Sequence, residues 1–210
     1  MKKEIIQAVA AALALAAFGT ATADVSCRVE PDYAVRLADK AGDAYVKVTL
    51  AADRVVAANR PSVNLAIVLD RSGSMHGDKI VKAREAACEA IRRLDAKDIV
   101  SVVAYDNKSE VIIPAQHVTE KEALIARISA IEPRGCTALF DGVSAGATEL
   151  RKFKGKCEIS RVLLLSDGQA NVGPSSPDEL GRYGALLMKD GIAVSTIGLG
   201  VDYNEDLMTR

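Results

Sequence analysis

A continuous apolar run at residues 65–69 ends at Asp70 and is followed at once by small polar residues. Such a run predicts a strand that is buried on both faces, as in a parallel sheet. Asp70, Ser72 and Ser74 then place one carboxylate and two hydroxyls where that strand would end. Oxygen ligands of this kind suit Mg²⁺, Mn²⁺ or Ca²⁺ and do not suit Zn²⁺ or Cu²⁺. The stretch therefore predicts a sheet with a candidate metal site at its edge.

Strands and helices alternate along the rest of the chain. Further apolar segments predict strands near residues 99–105, 110–113, 161–165 and 192–197, and helices near residues 79–94, 120–131, 138–153 and 177–190. The short connection through Asn107 and Lys108 predicts a hairpin, and hence one antiparallel edge strand. The pattern predicts an α/β fold with a doubly wound, mostly parallel sheet and one antiparallel edge strand.

Two predicted helices carry signals for their ends. Thr119 and Glu122 have the spacing of a capping box that would open the helix ending near Ile131. Ser176-Pro177-Asp178-Glu179 combines an N-cap, a proline at the first helical position and a box glutamate. Gly191 is expected at the C-terminal end of that second helix.

Residues 1–23 have the composition of a secretory signal. Lys2 and Lys3 precede an apolar run from residue 5 to residue 18, and Ala21-Thr22-Ala23 supplies a small-residue cleavage site. The run falls short of the ~20 residues that a membrane-spanning helix needs. We predict cleavage before Asp24 and a periplasmic or secreted mature protein with no membrane insertion; an uncleaved anchor is the alternative.

Residues 24–60 precede the main domain, which is expected to span residues 61–210. Residues 45–50 alternate between apolar and polar side chains, which predicts a half-buried strand in a short β extension. Asn59-Arg60-Pro61 is the candidate boundary.

Export would permit disulfides among the four cysteines, Cys27, Cys88, Cys136 and Cys157. Four cysteines allow three full pairings, and the sequence does not choose among them. A bridge between Cys136 and Cys157 is disfavoured, because a predicted helix separates them by about 27 Å. Cys88 lies near the apolar face of a predicted helix and is expected to be a buried thiol.

The net charge of −1 and the aromatic fraction of 4% give no sign of a nucleic-acid partner. Nucleic-acid binding normally requires a basic surface, and single-stranded binding also uses aromatic stacking.

Two more loops are expected to bring oxygen ligands to the same edge of the sheet. Thr137 precedes a predicted helix, and Asp167 directly follows the strand predicted near residues 161–165. In open α/β sheets, ligands bind beyond the carboxyl ends of the strands, near the switch point of strand order. The candidate metal site therefore comprises Asp70, Ser72, Ser74, Thr137 and Asp167.

Roughly residues 61–210 resemble the von Willebrand factor type A (VWA) domain. The resemblance is strongest at three stretches, VLDRSGSM, CTALFDGVSAGA and LLLSDGQANVGPSS. The likeness is to bacterial secreted VWA-domain proteins, with a Rossmann-like fold and a metal-ion-dependent adhesion site (MIDAS). It implies that Ser72, Ser74 and Thr137 are direct ligands, and that Asp70 and Asp167 act largely through bound water. A complete domain of this family would need one more helix and strand, so we expect the chain to be truncated at its C-terminus.

The resemblance implies a non-enzymatic binding module that holds Mg²⁺, with Mn²⁺ or Ca²⁺ possible, and a protein partner whose Asp or Glu completes the coordination. Its oligomeric state stays open. One alternative is a metal-assisted hydrolase with Asp70, Asp167 or His76 as general base. Another is a structural fragment that binds no metal. Cys136 departs from the small polar residues that the family commonly has at that position, and a bridged Cys136 would displace the second loop.

Overall fold

The computed structural model describes residues 25–31, 45–52, 60–201 and 203–209. The chain divides into two compact units, residues 1–60 and 61–210. The predicted secretory signal at residues 1–23 lies outside the described residues. Among the described helices, none combines the length and hydropathy that crossing a bilayer requires.

The first unit contains a two-stranded antiparallel sheet of β1 (Val25–Pro31) and β2 (Val46–Ala52). The alternating pattern correctly placed a strand at β2, whereas β1 was not predicted. The expected half-burial was wrong, because the side chains of residues 45–51 are all exposed. Two strands alone bury little apolar surface, so alternation here does not produce an inside and an outside face.

The second unit alternates strands and helices. Its elements are β3 (Val63–Asp70), a 3₁₀ turn (Gly73–Met75), α1 (Asp78–Arg93), β4 (Ile99–Tyr105), β5 (Ser109–His117), α2 (Lys121–Ser129), α3 (Leu139–Arg151), β6 (Ile159–Ser166), α4 (Pro177–Lys189), β7 (Ile192–Gly198) and α5 (Glu205–Thr209). The sheet order is β5-β4-β3-β6-β7, and only the β4–β5 pair is antiparallel. The predicted fold class, including the antiparallel edge strand, is confirmed.

Strand β3 is the centre of the sheet and is buried on both faces. Leu65, Ile67 and Leu69 pack in a cluster with α1 and α2. The alternate residues Ala66 and Val68 pack in a second cluster with α3 and α4. Successive side chains of a strand point to opposite faces, so one apolar run supplies both layers of the core.

The helix ends agree with the sequence at α4 and differ at α2. Ser176 caps α4 in a reciprocal capping box with Glu179, and Gly191 follows the helix with φ 81°, as predicted. The box expected at Thr119 was wrong: Glu120 is the N-cap of α2, with no side-chain capping bond. Val118 donates its N–H to Asp98 O, and α2 begins at Lys121, so Glu122 stands one position too early for a capping box.

Candidate metal centre

Asp70, the last residue of β3, is a fully buried carboxylate that accepts three hydrogen bonds. Its Oδ1 accepts from the backbone N–H of Ser72 at 2.8 Å. Its Oδ2 accepts from Ser166 Oγ at 2.6 Å and from the Tyr105 hydroxyl at 3.2 Å. These donors come from the ends of β6 and β4, so Asp70 is held at one place on the carboxyl edge of the sheet.

Burial raises the pKa of Asp70 above its ordinary value. Hydrogen bonds from Ser166 and Ser72 lower this pKa but do not cancel the effect of burial, and the negative charge of Asp167 raises it further. The site therefore places two buried acidic groups within electrostatic reach of each other. A cation between such groups would offset the cost of their charges.

Ser72 and Ser74 lie next to Asp70, and their hydroxyl oxygens are 3.1 Å apart. The 3₁₀ turn that contains Ser74 is anchored by the fully buried side chain of Met75. Ser72 is buried and Ser74 is exposed. The hydroxyl pair thus reaches from the base of the site to its solvent-facing side.

The second loop is joined to the first by backbone hydrogen bonds. The N–H of Gly73 donates to Gly135 O at 2.9 Å, and the N–H of Arg134 donates to Arg71 O at 2.6 Å. A Cβ at Gly73 would lie 3.2 Å from that same Gly135 oxygen, so the close approach favours glycine. The loop carries Thr137, which is 2% exposed, to the carboxyl edge of the sheet.

Asp167 follows β6 and is also fully buried. Its Oδ2 lies 3.1 Å from Lys79 Nζ, and its Oδ1 accepts from the N–H of Gln169 at 3.3 Å. Gly168 has φ 73°, and a Cβ there would lie 3.1 Å from atoms of Asn204. The chain therefore turns sharply after Asp167 and continues across the site.

That continuation binds the second loop. Asn171 Oδ1 accepts from the N–H of Thr137 at 2.8 Å, and the N–H groups of Asn171 and Val172 both donate to Thr137 O. Thr137 is thus fixed from its backbone by the segment that follows Asp167. Three separate loops are tied together around one edge of the sheet.

A four-membered charged network supports the first and second loops. Asp106 Oδ2 accepts from Arg71 Nε at 2.9 Å and from Arg134 Nε at 2.8 Å. Glu110 bonds the same two arginines, at 2.7 Å to Arg71 and 3.4 Å to Arg134. Burial favours the neutral form of Asp106, but the hydrogen bonds from Arg134, Lys108 N–H and Arg71 outweigh it and lower its pKa.

Cys136, the family departure in the second loop, is an exposed free thiol, and the other three cysteines are free as well. Its backbone N–H donates to Asn107 Oδ1 at 2.6 Å. No disulfide therefore pulls the loop out of place. Cys88 is a buried thiol, as predicted.

The donor set fits a hard divalent cation. The loops bring hydroxyls and carboxylates, and these are the oxygen ligands that Mg²⁺, Mn²⁺ and Ca²⁺ accept. In the part of the chain that the structure describes, no three His, Cys, Asp or Glu side chains group as a metal cage would require. The hydroxyls predicted as ligands for a cation at this site are those of Ser72, Ser74 and Thr137.

The sequence pointed to the five candidate residues and missed their supports. Five supporting residues form hydrogen bonds or ion pairs with the candidate loops or their carboxylates: Tyr105, Ser166, Lys79, Asp106 and Asn171. For two of them the sequence carried a signal in their position along the chain. Tyr105 and Ser166 end the strands that pair in parallel with β3, so they lie at the same edge of the sheet.

Comparisons with known proteins place this site in a wider context. The family model of the von Willebrand factor type A domain matches residues 64–210. The uncharacterized protein sll0103 of Synechocystis sp. is 32% identical over 71% of this chain and 35% of its own. Inter-alpha-trypsin inhibitor heavy chain H3 of Homo sapiens is 29% identical over 69% of this chain and 17% of its own. The chain therefore spans about a third or less of the length of these curated relatives.

Solved structures share the fold. A von Willebrand factor type A protein from Catenulispora acidiphila superposes with TM-score 0.60 and 19% identity, covering 91% of this chain and 44% of that one. Proximal thread matrix protein 1 of the mussel byssus, with a zinc-occupied MIDAS motif, superposes with TM-score 0.59 and 21% identity over 70% and 38% of the two chains. At these identities the likeness is one of fold.

Proposed function

Because the chain belongs to the von Willebrand factor type A domain family, we propose that residues 61–210 form a non-enzymatic binding module that holds a divalent cation and captures a protein partner through it. The proposed metal site comprises Ser72, Ser74 and Thr137 as direct ligands, and Asp70 and Asp167, which would act largely through bound water. The partner's Asp or Glu would supply the remaining ligand.

The observation that carries this proposal is the meeting of three oxygen-bearing loops at the carboxyl ends of β3 and β6. Asp70 and Asp167 are fully buried there, Ser72 and Ser74 lie 3.1 Å apart, and Thr137 is bound to the segment after Asp167. Ligands of open α/β sheets bind at this edge, near the switch point of strand order.

The ligand types suggest how a partner would be captured. Three of the five groups, Ser72, Ser74 and Thr137, are neutral hydroxyls, which leave a bound cation electron-poor. Such a cation attracts a further carboxylate, and Ser74 faces the solvent from which that carboxylate would come. We propose Mg²⁺ as the resident ion, with Mn²⁺ or Ca²⁺ as alternatives. The zinc-occupied MIDAS of the mussel protein makes Zn²⁺ part of the test.

The contacts of the carboxylates favour binding over hydrolysis. A general base must be placed to take a proton from the reacting water, whereas both carboxylates are buried and held by contacts with neighbouring groups. Asp70 accepts three hydrogen bonds, and Asp167 is ion-paired with Lys79. His76, the third candidate base, lies on the exposed side of the loop.

We propose that the module works in the periplasm or outside the cell. The support is the charged and apolar pattern of residues 1–23, with its small-residue cleavage site. Mass spectrometry of the mature N-terminus would test it: an N-terminus at Asp24 is expected, and retention of residues 1–23 would contradict export by cleavage.

Thermal unfolding tests the cation. Melting temperatures would be compared in EDTA and with Mg²⁺, Mn²⁺, Ca²⁺ or Zn²⁺, for the wild type, Ser74→Ala and the control Ser129→Ala. A cation at ~100 times its dissociation constant stabilises the folded state by about 2.7 kcal/mol. In a domain of this size that raises Tm by about 5–10 °C. The rise should shrink in Ser74→Ala and persist in Ser129→Ala; no rise with any cation would refute the metal site.

A peptide selection tests the carboxylate partner. A random peptide display library would be bound to the immobilised protein in Mg²⁺ and eluted with EDTA. Eluted peptides should be enriched in Asp or Glu, and the enrichment should vanish on Ser74→Ala. Peptides that remain bound in EDTA, or an elution pool with no acidic bias, would argue against capture through the metal.

A further inference from the structure

Lys79 places a positive charge inside the candidate metal centre. It lies in the first turn of α1, and its Nζ is 3.1 Å from Asp167 Oδ2. Asp167 is fully buried, and the Lys79 side chain is only 17% exposed. The pair therefore joins the helix after the first loop to the carboxylate of the third loop, away from bulk solvent.

Charge balance explains why an ammonium belongs there. Asp70 and Asp167 are two fully buried acidic groups that affect each other electrostatically. A buried carboxylate without a counter-charge is strongly unfavourable. The ammonium of Lys79 lies in contact with Asp167, so it offsets the negative charge of this buried carboxylate.

We propose that Lys79 is a built-in cation that neutralises Asp167 in the metal-free protein and competes with the divalent cation for it. This inference rests on the proposed function, since it concerns the same site. A divalent ion entering the site meets the repulsion of the ammonium, and Asp167 must exchange one positive partner for another. Lysine suits this exchange, because its compact charge sits on a flexible stem that can withdraw.

The consequence is that the Lys79 side chain lowers the affinity of the site for a divalent cation. The metal-free form is stabilised by the Lys79–Asp167 pair, and the loaded form must disrupt or strain it. Cation occupancy would then follow the external cation concentration, and the adhesive state would be reached only when the ion is abundant.

Isothermal titration with Mn²⁺ tests the competition, using the wild type, Lys79→Met and the matched control Lys82→Met. Lys82 lies on the same helix but is exposed and pairs with Glu85. We expect Lys79→Met to bind Mn²⁺ about tenfold more tightly, a change equivalent to about 1.4 kcal/mol. Lys82→Met should stay within about twofold of the wild type, since an exposed charge is screened. Equal affinities of Lys79→Met and the wild type would overturn the proposal.

The same titrations separate this inference from the proposed function. Binding by Lys79→Met alone would support the role of Lys79 and refute a working metal site in the wild type. Equal binding by both would keep the metal site and overturn the competition. Absence of binding in both would overturn the two together.

Unfolding in EDTA tests the neutralising role without any metal. Lys79→Met should lower Tm in the wild-type background and lower it much less in an Asp167→Asn background, where no charge needs a partner. Such non-additivity is the signature of a direct interaction. Additive shifts would mean that Lys79 does not neutralise Asp167.

Discussion

The hydroxyl of Tyr105 donates a hydrogen bond to Asp70 Oδ2 at 3.2 Å, across the two neighbouring parallel strands that these residues end. Tyr105 is fully buried, and burial raises its pKa well above the ordinary value, so it remains a neutral donor. The first carboxylate of the candidate metal centre is therefore positioned by the core of the domain.

Tyr105→Phe should keep the fold and weaken the site. The ring stays, and one hydrogen bond to a charged group is lost, which costs about 1.5 kcal/mol of stability. Because Asp70 loses a fixed partner, Mn²⁺ affinity should fall several-fold. Titration and denaturant unfolding would measure both effects, with Tyr45→Phe in the exposed β2 region as control. Unchanged affinity would mean that Tyr105 does not position Asp70.

Gly142→Ala should destabilise the domain through the same tyrosine. A Cβ at Gly142 would lie 2.5 Å from Tyr105 Cδ1, closer than non-bonded carbon atoms approach each other in folded proteins. The ring is fully buried, so the strain of overpacking should cost about 1–3 kcal/mol.

Gly184→Ala is the matched control for that change. Gly184 also lies in a helix, α4, and a Cβ there meets nothing within 4 Å. Alanine should stabilise this helix by about 0.5–1 kcal/mol. Denaturant unfolding should therefore give opposite signs for the two substitutions. The same sign for both would indicate that contact with Tyr105 does not decide the effect.

Asp106→Asn should make the protein less stable at neutral pH and less sensitive to acid. Asp106 bonds two arginines and its pKa is lowered, so its contribution is complete above the unfolded pKa of about 3.9 and is lost as the pH falls through the lower folded value. We expect a loss of about 2 kcal/mol at pH 7. Denaturant unfolding from pH 7 downwards should show the two proteins converging below about pH 4. A difference that does not change with pH would contradict an electrostatic role.

Asn171→Ala should loosen the second loop without unfolding the domain. Asn171 is exposed, yet its side chain accepts from the N–H of Thr137. Mn²⁺ affinity should drop several-fold while the melting temperature in EDTA changes little. Gln169→Ala is the control, because the backbone N–H of Gln169, not its side chain, bonds Asp167. Equal effects of the two substitutions would argue against a specific role for Asn171.

Much of the fold could be predicted from local patterns in the sequence. The apolar run of β3, the capping box at Ser176 and the short connection before β5 each express one local rule, and each prediction is confirmed. At β2 the same kind of reasoning placed the strand and misjudged its burial. Alternation of apolar and polar residues indicates that a segment can form a strand, whereas the burial of that strand depends on what packs against it.

Some residues of the candidate site could be located from the sequence for a similar reason. Residues that follow strand ends can be located once the strands are assigned, and this gave Asp70 and Asp167. Lys79 and Asn171 reach the site from helix α1 and from the segment before α4, and their roles depend on side-chain directions that no spacing rule encodes. Long-range ion pairs and side-chain bonds to backbone have no signature in a single sequence.

The central position of β3 predicts that this strand and the second loop open to solvent at different rates. Strand β3 has hydrogen-bonded neighbours on both sides, so we expect the amides in its interior to exchange only when the sheet unfolds. The loop of Thr137 is held by hydrogen bonds with Gly73, Arg71, Asn107 and Asn171, and we expect it to open without unfolding of the sheet. Amide hydrogen exchange should then be slow in β3 and faster at residues 135–137. If the module captures a partner as proposed, the residence time of that partner would follow the opening of the second loop, while the buried carboxylates would stay in place for as long as the domain is folded.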